Sequence, residues 1–207
     1  MATEELEAPS QEKSGQSRLS IAVPINASSS PEATAFLKAH QHKLQTGQWS
    51  RRVRWVETGK FHLVLRVLGP EKGTDTEALV AALRTGLANL KPFELGVDRP
   101  ILYPRPSRAR EVACLIRHTS DLKRLFRIAH AAADSLLPEE ERGKAAAKPH
   151  KAHISFGRIR SGKARKAPNL IAESGECPVL VGQVDLIRTE QGPMGPVSTS
   201  LESISLG

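Results

Sequence analysis

Cysteine is scarce. The 207 residues contain two, Cys114 and Cys177, with no CxxC spacing. That excludes a disulfide framework and a zinc-ribbon pattern, and it fits a reducing compartment. Aromatic residues make up 4% of the chain, with Tyr103 the only tyrosine, so stacked readout of many bases is not expected. No apolar run approaches the roughly 18–20 residues that span a bilayer. The N-terminus is acidic and polar, which argues against a secretory signal. A cytoplasmic protein without a membrane partner is the expectation. The stretch GPEKGTD (69–75) lacks the GK[ST] ending of a phosphate loop. Acidic residues are also short: 22 against 30 Lys and Arg, for a net charge of +8. Residues 1–17 hold four glutamates and one lysine, so the rest of the chain carries 29 basic and 18 acidic residues, or +11. A body that basic favours a polyanionic partner such as RNA, DNA or a phosphorylated metabolite.

What is present reads as an α+β chain. Residues 1–17 are too rich in Glu, Gln, Ser and Ala to bury a core and read as a disordered acidic tail. RLSIAVPI (18–25) is a first strand. Residues 29–45 read as a helix, with Pro31 in its first turn and Gly47 past its end. VRWV (53–56) and FHLVLRVLG (61–69) are strands, 75–90 a second helix, 92–104 an extended segment and 110–118 a strand. The helix at 119–137 begins at Thr119 or Ser120. AHISFGRIR (152–160) is a strand, 178–190 and 197–206 are strands, and QGPMGP (191–196) joins them as a hairpin turn. The order suggests two α/β units within one domain over 18–207, one unit for each of two histidine-bearing strands 91 residues apart.

Alternation along a strand sets which residues share a face. His62 and Val64 then share one face, with Arg66 further along it. On the second strand His153, Ser155 and Gly157 share a face, and Arg158 falls on the other. A single strand histidine is most often a satisfied, half-buried residue without chemistry. Two of them meeting in one cleft would supply a neutral and a charged imidazole, a general base and a general acid near neutral pH. A hydroxyl two residues on, such as that of Ser155, could donate to a phosphate oxygen.

This pair resembles the two HxTx/HxSx signatures of the 2H phosphoesterase superfamily, and within it the RNA 2′,3′-cyclic phosphodiesterase family, also called the 2′-5′ RNA ligase family. RLSIAVPI resembles that family's opening strand, RWVETGKFHLVLRVLG and AHISFGRIR its two histidine segments, and VDLIRTEQGPMGP its last hairpin. The resemblance implies a two-lobed, duplicated fold whose antiparallel sheets line a central cleft, with helices outside. It implies a monomer acting on RNA or a nucleotide with a 2′,3′-cyclic phosphate, without metal or cofactor, and leaving a 2′-phosphate. His62 would be the proton donor and His153 the proton acceptor. Ser155 would bind phosphate, and Arg66 and Arg158 are candidate substrate contacts. Three positions depart from the pattern. Val64 stands in place of Thr or Ser, Ala152 in place of proline, and Ile187 in place of tyrosine. Val64 removes one phosphate donor, so catalysis is weakened or, on an alternative reading, the protein binds RNA ends or nucleotides without efficient turnover or with altered specificity.

Other features carry less. His150 would give a rival register, but Ala152 two residues on offers no hydroxyl. His40 and His42 read as surface residues, and His118 and His130 have no partner readable from sequence. The run RIRSGKARK (158–166) holds five basic residues and could touch an RNA backbone. Phe61, Tyr103 and Phe156 are candidate stacking residues, with core packing the default for Phe156.

Overall fold

The computed structural model describes residues 17–46, 51–57, 59–137, 139, 151–160, 177–192 and 195–207. The expected acidic tail up to residue 16, His150, and the basic run beyond Arg160 lie outside these residues. No described helix is long and apolar enough to cross a membrane.

Among the described residues, nine strands and three α-helices follow in chain order: β1 (Arg18–Ile25), α1 (Pro31–Gln45), β2 (Val53–Trp55), β3 (Phe61–Pro70), α2 (Thr76–Leu87), β4 (Phe93–Tyr103), β5 (Glu111–Ile116), α3 (Ser120–Asp134), β6 (His153–Ile159), β7 (Cys177–Val181), β8 (Gln183–Gly192) and β9 (Gly195–Ser205). Every pairing among the described residues is antiparallel, and hydrogen bonds link them in the order β7-β4-β5-β6-β3-β1-β8-β9, with β2 also on β6. Among the described residues, two four-stranded halves, β7-β4-β5-β6 and β3-β1-β8-β9, share one position of sheet register, Leu63 with Ile154. The two-lobed expectation thus takes the form of one curled, hydrogen-bonded sheet with a narrow seam.

The helices form where apolar spacing and capping agree. Leu79, Leu83 and Leu87 recur every four residues and bury one face of α2, and Asp75 caps it by accepting from the Ala78 N–H at 2.9 Å. Thr119 caps α3 by accepting from Leu122 N–H at 3.1 Å. Gly86 lets α2 approach α3, since a Cβ there would sit 2.6 Å from Ile128 Cγ2. Ser30 precedes α1 without capping it; its hydroxyl donates instead to the Leu180 carbonyl of β7 at 3.2 Å. Helix α1 therefore packs on β7 in one lobe, while α2 and α3 pack behind β9 and β3 in the other.

One sequence expectation is corrected. Residues 178–190 do not form one strand in one place. The chain breaks at Gly182, so β7 pairs with β4 at one flank of the sheet and β8 pairs with β1 near the other. One residue can join opposite flanks only if the sheet curls until they are neighbours. The Gly182 carbonyl there accepts from the Leu206 N–H at 2.9 Å.

Candidate active site

His62 and His153 flank the seam. With Leu63 opposite Ile154, antiparallel counting sets Ser155 across from His62 and Val64 across from His153. The apolar partners Leu63 and Ile154 point into the core at 1% and 0% exposure, so all four of the other residues face the opposite way. Phe61 and Phe156 are buried too and meet edge to face with centroids 6.0 Å apart, which makes them packing residues rather than stacking platforms.

The two imidazoles are held alike. His62 Nδ1 contacts the Lys60 carbonyl at 3.2 Å, and His153 Nδ1 contacts the Lys151 carbonyl at 2.7 Å. A carbonyl only accepts, so each Nδ1 carries a proton and donates it. Nε2 is then the ring atom that gains or loses the proton in each histidine. Their surroundings then diverge. Burial pushes His62 below the ordinary imidazole value, aided by the Arg158 guanidinium and opposed by the Lys60 carbonyl and Glu111. Burial also opposes charge on His153, but the Glu111 carboxylate and the Lys151 carbonyl outweigh it and hold His153 above that value. Glu111 Oε2 lies 3.7 Å from His153 Nε2, an ion pair rather than a close hydrogen bond. The Tyr103 ring stacks on His153, with centroids 4.0 Å apart and planes at 26°.

Glu111 was not legible as a site residue. It lies on β5, opposite both Arg158 of β6 and Tyr103 of β4. Its carboxyl is held below the usual range, first by His153, and further by Ser155 and Arg158 against the cost of burial. The Ser155 hydroxyl is close enough to contribute, yet it makes no hydrogen bond of acceptable geometry among the described residues and is buried. An unpaired buried hydroxyl costs about 1–3 kcal/mol, and a ligand acceptor would relieve that cost.

The two arginines exchange the faces expected of them. On β5, Val112 pairs with Gly157 but Ala113 pairs with Ser155, so Phe156 is an extra residue on β6. Glu111 and Ala113 share a face, and their partners Arg158 and Ser155 therefore do as well. The bulge brings Arg158 onto the histidine face, where it influences both His62 and Glu111. The carbonyl of the extra residue is satisfied: Phe156 O accepts from Val56 N–H at 2.7 Å and from Gln41 Nε2 at 3.1 Å. Gly157 permits the close approach of β2, since a Cβ there would lie 2.5 Å from Val53 Cγ1 and 2.7 Å from the Arg54 carbonyl. On β3, Ala22 pairs with Val64 but Ile21 pairs with Arg66, so Leu65 is the extra residue. Adjacent residues of β1 face opposite sides, and Arg66 is turned away from Val64. It reaches Asp134 Oδ1 at 3.2 Å and His130 Nδ1 at 3.3 Å on α3. The expected cleft contact at Arg66 is thus an ion pair behind the sheet, and His130 gains the partner that its sequence did not name.

The departures from the family pattern are placed as follows. Val64 is half-buried on the histidine face. Ala152 is buried, and its carbonyl accepts from the Ile116 N–H at 2.9 Å. Ile187 is buried between Ser20 of β1 and Ser200 of β9. Among the described residues no group of three or more His, Cys, Asp and Glu side chains is placed to hold a metal ion.

Two histidines on adjoining strands of one curled antiparallel sheet fit the resemblance to a two-histidine phosphoesterase. Comparison with known proteins agrees. An RNA 2′,3′-cyclic phosphodiesterase of Methanothermobacter thermautotrophicus is 25% identical over 162 residues, covering 75% of this chain and 83% of that protein. The crystal structure of TT0787 of Thermus thermophilus matches with a TM-score of 0.77 at 26% identity, covering 91% of this chain and 97% of that one. E. coli LigT complexed with ATP shares the fold at a TM-score of 0.67 and 19% identity, covering 93% and 98%. No protein-family model matches the chain. These likenesses support the 2H phosphoesterase superfamily as the class of this chain.

Proposed function

We propose that this phosphoesterase hydrolyses RNA or nucleotide 2′,3′-cyclic phosphate ends to 2′-phosphates. The observation that carries the reading is the pair of rings, each with Nδ1 tied to its own strand, on strands that pair at Leu63 and Ile154. Water attacks phosphorus in line with the departing 3′ oxygen. One neutral imidazole takes the proton from water, and one charged imidazole gives a proton to the 3′ oxygen as the P–O3′ bond breaks. Ser155 and Arg158 hold the non-bridging oxygens through the developing charge. Val64 offers no donor, which lowers the rate without removing either proton-transfer group. The basic balance of the chain favours an RNA end over a neutral substrate.

The resemblance assigns the donor role to His62 and the acceptor role to His153. The resting electrostatics favour the reverse, because burial disfavours charge on His62 while Glu111 favours it on His153. The two assignments give the same pH profile, since each needs one ring charged and one neutral. A substrate with sulfur at the 3′ bridging position separates them, because a thiolate leaves without a proton.

The test is turnover of a 2′,3′-cyclic nucleotide and of an RNA bearing that end, with the product isomer read by phosphorus NMR. His62→Ala and His153→Ala are each expected to lower kcat by about 10²–10⁴. Restored turnover of the sulfur-bridged substrate identifies whichever variant lost the acid. Wild-type activity in both alanine variants would sink the reading. Nucleotide binding with no turnover in wild type would support the alternative of a binding protein disabled by Val64.

A further inference from the structure

A site built to hold phosphate has no evident use for a fixed carboxylate, yet Glu111 stands among the groups that would hold it. Its Oε2 lies 3.7 Å from His153 Nε2, the ring atom that would exchange a proton. Arg158 is its partner across the strands, and the Ser155 hydroxyl beside it lacks a good acceptor. The groups facing this carboxylate are His153, Ser155 and Arg158 from β6, His62 from β3 and Tyr103 from β4, with Arg54 of β2 opposite Arg158. The Glu111 and His153 side chains are 25% and 14% exposed, so water screens their charges only in part.

We propose that Glu111 is a charge filter, which sets the site to accept a phosphate bearing one negative charge and to expel a phosphate bearing two. The inference rests on the phosphodiesterase reading above and adds a specificity-determining residue to it. With His153 protonated, His153 and Arg158 contribute two positive charges and Glu111 removes one, while the exposed Arg54 is not among the charges that act on Glu111. A cyclic phosphodiester carries a single negative charge and balances the remainder. Opening the ring yields a monoester whose second ionisation lies near pH 6, so at neutral pH the product is mostly a dianion. In a partly buried site that second charge meets Glu111 with reduced screening, and the product is driven out. The carboxylate thereby discriminates substrate from product, and diesters from the abundant monoesters, without touching the sugar or base.

The test compares adenosine 2′,3′-cyclic phosphate with 2′-AMP by calorimetry at pH 7, in a His62→Ala background that stalls turnover. Glu111→Gln is expected to tighten 2′-AMP by about tenfold while changing the cyclic ligand by less than about threefold. The dianion is expected to bind that variant with proton uptake, as His153 regains its charge. Glu94→Gln, an exposed position on β4, is the control and leaves the ratio of the two affinities unchanged. At pH 5, where 2′-AMP carries one charge, the difference between wild type and Glu111→Gln is expected to vanish. An NMR titration is expected to show the His153 pKa falling in Glu111→Gln. An affinity ratio unchanged by Glu111→Gln, with both nucleotides still bound, would overturn the filter and leave the phosphodiesterase reading intact. Failure of wild type to bind either nucleotide in the same background would overturn both.

Discussion

The two histidine strands begin alike and end in different chemistry. On β3 and on β6 a ring is tied through Nδ1 to a carbonyl two residues back, and the next residue is buried at the seam. Beyond that the strands part. His62 is followed by a methyl group at Val64 and by an arginine turned behind the sheet, with desolvation keeping the ring neutral. His153 is followed by a hydroxyl at Ser155 and an arginine turned inward, and it is stacked on Tyr103 and paired with Glu111. The backbone repeats in the way each Nδ1 is held. The side chains differ where the roles differ, since proton transfer needs one ring charged and one neutral. In the proposed function, the groups that hold the phosphate lie on the β6 side.

The largest test of this asymmetry exchanges the fates of the arginines. Arg158→Gln is expected to lower kcat/KM by about 10- to 100-fold with little change in thermal midpoint, because it removes a charged donor from the site. Arg66→Gln is expected to leave kcat/KM of the folded protein within about twofold. It should cost about 3 kcal/mol in denaturant unfolding, since it removes an ion pair between side chains only 11% and 15% exposed. Activity loss at Arg66 with stability intact would contradict the bulge on β3.

A smaller effect comes from the hydroxyl. Ser155→Ala is expected to reduce kcat/KM about tenfold, and Val64→Thr to raise it by a similar factor, since each changes one hydrogen bond to a charged oxygen. An unchanged rate in Val64→Thr would show that the missing donor does not limit the site.

The smallest expected effect is on the pH profile. As pH falls through the depressed pKa of His62, the neutral ring is lost, so the acid limb lies below the ordinary 6.5. As pH rises through the elevated pKa of His153, the charged ring is lost, so the alkaline limb lies above it. The kcat/KM profile should therefore be a broad bell around neutrality. Its alkaline limb should move down in Glu111→Gln, and a limb that stays in place would separate His153 from Glu111.

Much of the fold could be read from the chain because periodicity and capping are local. Thr119, Asp75 and the leucines of α2 announce their helices before any tertiary contact exists. The histidine faces of β3 and β6 follow from alternation, and the shared placement of His62, His153, Ser155 and Val64 follows with them. The arginines did not, because a bulge is a property of two strands and counting by twos works on one. Gly157 was the available signal, as glycine inside a strand marks a bulge or a close backbone approach. Gly182 carried the same signal for the break between β7 and β8. Glu111 had none: its place beside His153, 42 positions further along the chain, depends on the pairing of β5 with β6.

Gly182 fastens the curled sheet as a clasp fastens a bracelet. Its neighbours on the chain belong to opposite flanks, so the flanks cannot swing apart without lengthening a link one residue long. The spacing of the two rings at the seam is therefore settled when the protein folds, and an arriving RNA end has no gathering of loose parts to perform. Lengthening that link by one residue would be felt at phosphorus as a changed bite, although nothing at the seam had been altered.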